Sequence, residues 1–109
     1  MTRRGLGEFE QQVVLTLLHL GGEAYSIPLV LEMEERSGRP VSQAAVYIAL
    51  RRLEDKGLLA SRMEDAADSG TGRERRYFRV LPEGVELVRD ARATMDRFWA
   101  GLDDTLEQA

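Results

Sequence analysis

Gln43, Tyr47 and Arg51 stand four residues apart, a spacing that lines up an amide, a phenol and a guanidinium along one side of a helix. These groups bind; they do not form a nucleophile–base pair. A carboxamide can pair bidentately with adenine, and guanidinium and phenol groups meet phosphate oxygens. Farther along, Arg73, Arg75, Arg76 and Arg79 crowd a β-type run. Strand alternation sets Arg73, Arg75 and Tyr77 on one side and Arg76 and Phe78 on the other. The chemistry on offer is recognition of an anionic, hydrogen-bonding polymer.

Catalytic or metal chemistry has no comparable support. There is no cysteine, which excludes disulfides and thiolate metal sites, and His19 is the one histidine. A zinc site would need carboxylates alone. No glycine-rich phosphate loop or nucleophile elbow is present, so neither an enzyme nor a cofactor or metal is expected. The longest nearly apolar run, Val13 to Leu20, is too short to span a bilayer. No secretion signal is recognisable, and the absence of cysteine fits a reducing cytoplasm.

The net charge of −4 argues against a nucleic-acid partner until its distribution is considered. Residues Arg39 to Arg79 carry nine Lys/Arg and six Asp/Glu, net +3; the remainder carries six and thirteen, net −7. Basic charge is concentrated in the middle, as expected if only that segment meets a polyanion.

The elements needed to position those residues are legible in outline. A mostly buried helix is predicted from about Gly7 to Leu20, stopped by Gly21-Gly22. A second starts near Ser26, with Ser26 as cap, Pro28 in the first turn and Ile27, Val30, Leu31 and Met33 inward. A third starts at the N-cap Ser42, turns Val46, Leu50 and Leu53 toward the core and closes at Gly57. Two β-runs, Leu58–Met63 and Arg75–Val80, read as a hairpin with a long mobile tip. A last helix starts at Pro82 and runs close to the C-terminus. Its Val88, Ala91, Met95, Phe98 and Leu102 repeat every four and three residues, a seam that a second subunit would cover. The expected fold is therefore mainly α with a small β-hairpin. Residues 1–81 form a winged helix-turn-helix, and residues 82–109 form a C-terminal dimerisation helix that makes one unit with the first. In such a fold the small residue Ala44 allows close approach to bases, and the first-turn N–H groups can receive a phosphate.

Three stretches resemble the PadR family of winged-helix transcriptional regulators. They are Ala24-Tyr25-Ser26-Ile27; Val41 to Gly57, with Tyr47, Arg52-Leu53-Glu54 and Lys56-Gly57 in register; and Arg75 to Val80 followed by Glu83-Gly84. Their spacing is consistent over about residues 8 to 88. The resemblance implies a homodimer on a roughly palindromic operator, usually as a repressor. It implies DNA contacts at Tyr25, Ser42, Tyr47, Arg75 and Arg76. The last helix and the first would form the dimer interface, through Phe9, Val13, Val88, Met95, Phe98 and Leu102. Two positions depart from the family pattern: Ser26 replaces the usual glycine and Leu81 the usual threonine, and neither removes a DNA-facing group.

Some compact members of the family resemble this chain in placing aromatics at the dimer interface, where a small planar aromatic effector can insert between residues such as Met95, Phe98 and Trp99; ordinary interface packing is the favoured account of these three residues. Two other readings compete with DNA binding: a winged-helix protein-docking module, and a ligand sensor that binds no operator. The polar outer face of the third helix and the arginine-rich hairpin favour double-stranded DNA.

Overall fold

Gly7 caps the first helix, α1 (Glu8–His19), with Glu8 and Glu10 favourably placed against its positive end. Val13, Val14 and Leu17 are buried. Gly21 and Gly22 both adopt φ of 95°, and the Gly22 N–H bonds back to the Leu17 carbonyl at 2.8 Å. The chain then extends briefly as β1 (Glu23–Ala24) before α2 (Ser26–Ser37). The computed structural model describes residues 6–70, 72 and 74–108.

Tyr25, not Ser26, occupies the N-cap of α2; Ser26 is the first helical residue and Pro28 lies in the first turn, where no N–H is missed. The inner face of α2 also differs from expectation. Leu29 and Met33 are buried, whereas Ile27 and Leu31 are exposed. Apolar side chains occupy both sides of this helix, so periodicity alone did not settle its phase. The turn into α3 (Gln43–Asp55) is tied by the Glu34 carboxylate, which accepts from the Val41 N–H at 2.9 Å. Ser42 caps α3, its Oγ accepting from the Ala45 N–H at 3.1 Å. Val46, Leu50 and Leu53 are fully buried, as their spacing predicts.

β2 (Leu59–Glu64) and β3 (Arg75–Val80) pair antiparallel, Leu59 opposite Val80 and Glu64 opposite Arg75. The sheet has three strands, ordered β1-β3-β2, rather than the two of a plain hairpin. β1 pairs Glu23 with Arg79 and Ala24 with Phe78. Two residues are too few to show a periodicity, which is why β1 is invisible in the sequence. The hairpin tip contains one helical turn, α4 (Ala66–Ser69).

The last segment is broken. α5 (Pro82–Trp99) ends at Ala100 and Gly101, and α6 (Asp103–Gln108) follows. Gly101 has φ of 81° and Ala100 has ψ of 128°, so the α-helical path cannot continue. Leu102 therefore lies beyond the break, off the continuous seam predicted for it. Val13 and Val88 also differ from expectation. Both are buried in the chain's own core with Leu17, Leu50 and Phe78, and present almost no surface to a second subunit. Among the described residues no helix is long and apolar enough to cross a membrane.

Gly84 fixes how closely α5 sits on the sheet. A Cβ there would lie 2.6 Å from the Leu58 carbonyl oxygen, which already accepts from the Leu81 N–H at 3.0 Å. Gly84→Ala should therefore destabilise the fold by about 1–3 kcal/mol, despite alanine's better helix propensity. The measurement is urea unfolding at fixed protein concentration. An unchanged or raised midpoint would mean that the carbonyl moves aside at no cost.

Candidate nucleic-acid interface

The outer side of α3 is set by what its inner side buries. With Val46, Ala49, Leu50 and Leu53 inward, Gln43, Ala44, Tyr47, Ile48 and Arg51 are left exposed. The N–H groups of Gln43 and Ala44 lie in the first turn, where a helix leaves donors without internal partners. Ser42 uses its oxygen as the cap acceptor, so its hydroxyl hydrogen is left to donate. Tyr47 is 40% exposed, yet its ring meets the buried Phe78 edge-on, centroids 6.1 Å apart at 83°. Arg51 Nη1 donates to the Tyr47 hydroxyl at 3.4 Å.

β3 alternates as its sequence requires, with Phe78 inward. On the outer face four side chains stack in sequence. The Arg62 guanidinium lies 4.6 Å over the Tyr77 ring, Tyr77 is 5.3 Å from Tyr25, and Arg75 lies 4.6 Å over Tyr25. Arg62 also donates to Glu23, at 2.8 and 3.1 Å. The Arg62 hydrogen bond holds the Glu23 carboxyl below its ordinary value. Its small contribution to stability is therefore present at neutral pH and lost as pH falls through that lowered value. Each exposed contact is worth little alone. Together they fix the direction of Arg75.

A second chain of polar contacts links the sheet to α3. Arg76 Nη1 donates to Ser61 Oγ at 2.9 Å, and Ser61 donates to Glu54 Oε2 at 2.5 Å. Glu54 Oε1 pairs with Arg51 at 3.6 Å. Tyr47, Arg51, Glu54, Ser61 and Arg76 thus form one relay across three elements.

Between these two networks lies an open groove of about 460 Å³, lined by Tyr25, Ser26, Ile27, Tyr47, Glu74, Arg75 and Arg76. It brings together Tyr25, Tyr47, Arg75 and Arg76 from three separate stretches of chain. Ser42, Gln43 and Ala44 lie at the start of α3 and do not line it; Arg51 joins through Tyr47. Arg73 lies outside the described residues.

Sequence reasoning missed Arg62, Glu54 and Ser61 as supports of this site, and Ile48 and Ile27 as exposed apolar groups beside it. The cross-strand register, Arg62 opposite Tyr77 and Ser61 opposite Phe78, reveals Arg62 and Ser61, and the packing of α3 on β2 brings Glu54 to Ser61. The hairpin tip is too long to fix that register in advance.

The residues expected at a subunit interface or around an effector lie elsewhere. Met95 and Trp99 are half exposed, Phe98 is 73% exposed, and Phe9 and Leu102 are exposed at the surface. No group of three His, Cys, Asp or Glu residues suited to a metal ion occurs among the described residues. The site offers fixed cations and hydrogen-bond donors on a surface that an extended anion could follow.

Comparison with known proteins identifies the family and the fold. Residues 14–90 match the Transcriptional regulator PadR-like family. A PadR family transcriptional regulator from Eggerthella lenta DSM 2243 is 31% identical, covering 94% of this chain and 88% of its own, with a TM-score of 0.69. RosR from H. salinarum is 22% identical, covering 96% and 87%, with a TM-score of 0.72. F93 from STIV, described as a winged-helix DNA-binding protein, is 16% identical, covering 88% and 97%, with a TM-score of 0.65. No curated protein matches the chain.

The relay through Ser61 can be tested without DNA. Ser61→Ala should lower unfolding stability by about 1 kcal/mol, whereas Ser61→Thr, which keeps the hydroxyl, should stay close to the parent. Equal urea midpoints for the alanine variant and the parent would show the hydroxyl to be idle.

Proposed function

Because the chain belongs to the Transcriptional regulator PadR-like family, a family of DNA-binding winged-helix regulators rather than enzymes, we propose that it binds a palindromic operator as a homodimer and represses transcription there. The observation that carries this reading is the convergence of Tyr25, Tyr47, Arg75 and Arg76 on one groove beside the exposed face of α3. In the proposed pose the N-terminal half of α3 enters the major groove. Ala44 allows the close approach, Gln43 pairs with adenine, and Ser42, Tyr47 and Arg51 meet phosphates. The sheet forms the wing, and Arg75 and Arg76, with Tyr25, follow the neighbouring backbone. Occupancy by a dimer blocks access to the covered DNA, which is the simplest route to repression.

Exposed apolar groups support the homodimer. Met95, Phe98, Trp99, Leu102 and Leu106 in the C-terminal segment, and Phe9, Leu15 and Leu18 on α1, are all at the surface of the single chain. A second copy that buries them would complete a core that a chain of 109 residues builds only marginally. Any planar aromatic effector would enter this same region, between Met95, Phe98 and Trp99 of the two subunits. A cytoplasmic location follows from a DNA partner.

The direct test is selection of bound duplexes from a random pool, followed by mobility shift at two salt concentrations. A specific, salt-sensitive complex is expected. Arg76→Ala should weaken it and lower the log–log salt slope by about one unit, and Tyr47→Ala should weaken it without unfolding the chain. Failure to enrich any duplex would overturn the reading. For the dimer, Phe98→Asp should give a monomer or unfold the chain; a folded dimer by light scattering would refute the proposed interface.

A further inference from the structure

We infer that Ile48, with Ala44 one turn before it, reads the 5-methyl group of thymine in the major groove. The inference rests on the operator-binding reading and adds the base that this part of α3 selects. Val46, Leu50 and Leu53 are fully buried and define the inner line of the helix. At 3.6 residues per turn, Ala44 and Ile48 project about 40° from each other, on the side opposite that line. They form the crest of the outer face. Ile48 is 53% exposed. A β-branched side chain gains little from a helical position that leaves about half of it exposed, where propensity disfavours it. What distinguishes this isoleucine is its place on the crest of the helix, where its methyl groups are open to a partner.

Its surroundings suggest the occupant. Arg51 is held to one side by Tyr47 and Glu54, an arrangement suited to the phosphate backbone. Gln43 lies at the helix start, free to reach a base edge. Asp55, at the far end of the helix, repels phosphate, so the N-terminal half is the part that can sit deep in the groove. The crest of that half carries only methyl and methylene groups. It offers no hydrogen bond to guanine or cytosine, and the cytosine amino donor would lose its water without a replacement. Of the four bases only thymine presents a methyl group in the major groove. Gln43, suited to adenine, favours the same A·T pairs.

The experiment uses the full chain and the duplex it selects from a random pool. Each thymine is replaced in turn by uracil, which lacks only the 5-methyl group. For the parent protein, one thymine in each half-site should lose affinity about fourfold on replacement, the value of one buried methyl group. For Ile48→Ala, the thymine and uracil duplexes should bind equally at that position. A selected duplex whose thymines all tolerate uracil overturns the inference and leaves operator binding intact. So does a methyl preference that persists undiminished in Ile48→Ala. A pool from which nothing is enriched overturns both the inference and the reading on which it rests.

Discussion

Burial of Phe78 ties the sheet to the helix that lies over it. Its ring is fully enclosed in a cluster with Leu17, Leu29, Leu50 and Leu53, and it meets Tyr47 edge-on. Removing an aromatic ring from such a place costs about 3–5 kcal/mol, more than any surface contact in the site can supply. Once Phe78 points inward, alternation dictates the rest of β3. Tyr77 and Arg75 must face outward to stack with Arg62 and Tyr25, and Arg76 must turn toward Ser61. The relative placement of α3 and the wing, and with it the groove between them, follows from one buried residue.

Acidic residues inside a basic interface look contradictory until their partners are traced. Glu54 and Glu23 each hold an arginine, Arg51 and Arg62 respectively. Such pairs add little stability at an exposed surface. They restrict long, flexible guanidinium side chains to a narrow set of directions, which lowers the entropy lost when a polyanion is met. The net negative charge of the whole chain is compatible with this arrangement, because the excess acid lies outside residues 39–79, which supply the groove's arginines.

The C-terminal segment shows what one chain leaves unfinished. Leu87 and Val88 in the first half of α5 reach the core, whereas Met95, Phe98 and Trp99 in its second half project into solvent. The break at Gly101 turns α6 away from the line of α5, so the apolar groups beyond it are not a simple continuation of one seam. In the proposed dimer these residues, together with Phe9 and the outer face of α1, are the surface available to a second copy.

The amino-acid sequence by itself determined the helical spacing of Val46, Leu50 and Leu53, the Ser42 cap, the alternation of β3 and the segregation of basic charge. The first three are local properties, carried by neighbours within two to four residues, and the charge segregation is a count along the chain that needs no fold. Family resemblance extended this to Tyr25, Tyr47, Arg75 and Arg76. Tertiary structure alone decided which apolar face of α2 is buried, because Ile27 and Leu31 compete with Leu29 and Met33 on equal terms. It alone added β1, whose two residues acquire a strand's geometry only by pairing with β3. It alone joined Arg76 to Glu54 through Ser61, since the long hairpin tip leaves strand register open until Phe78 is buried and fixes it.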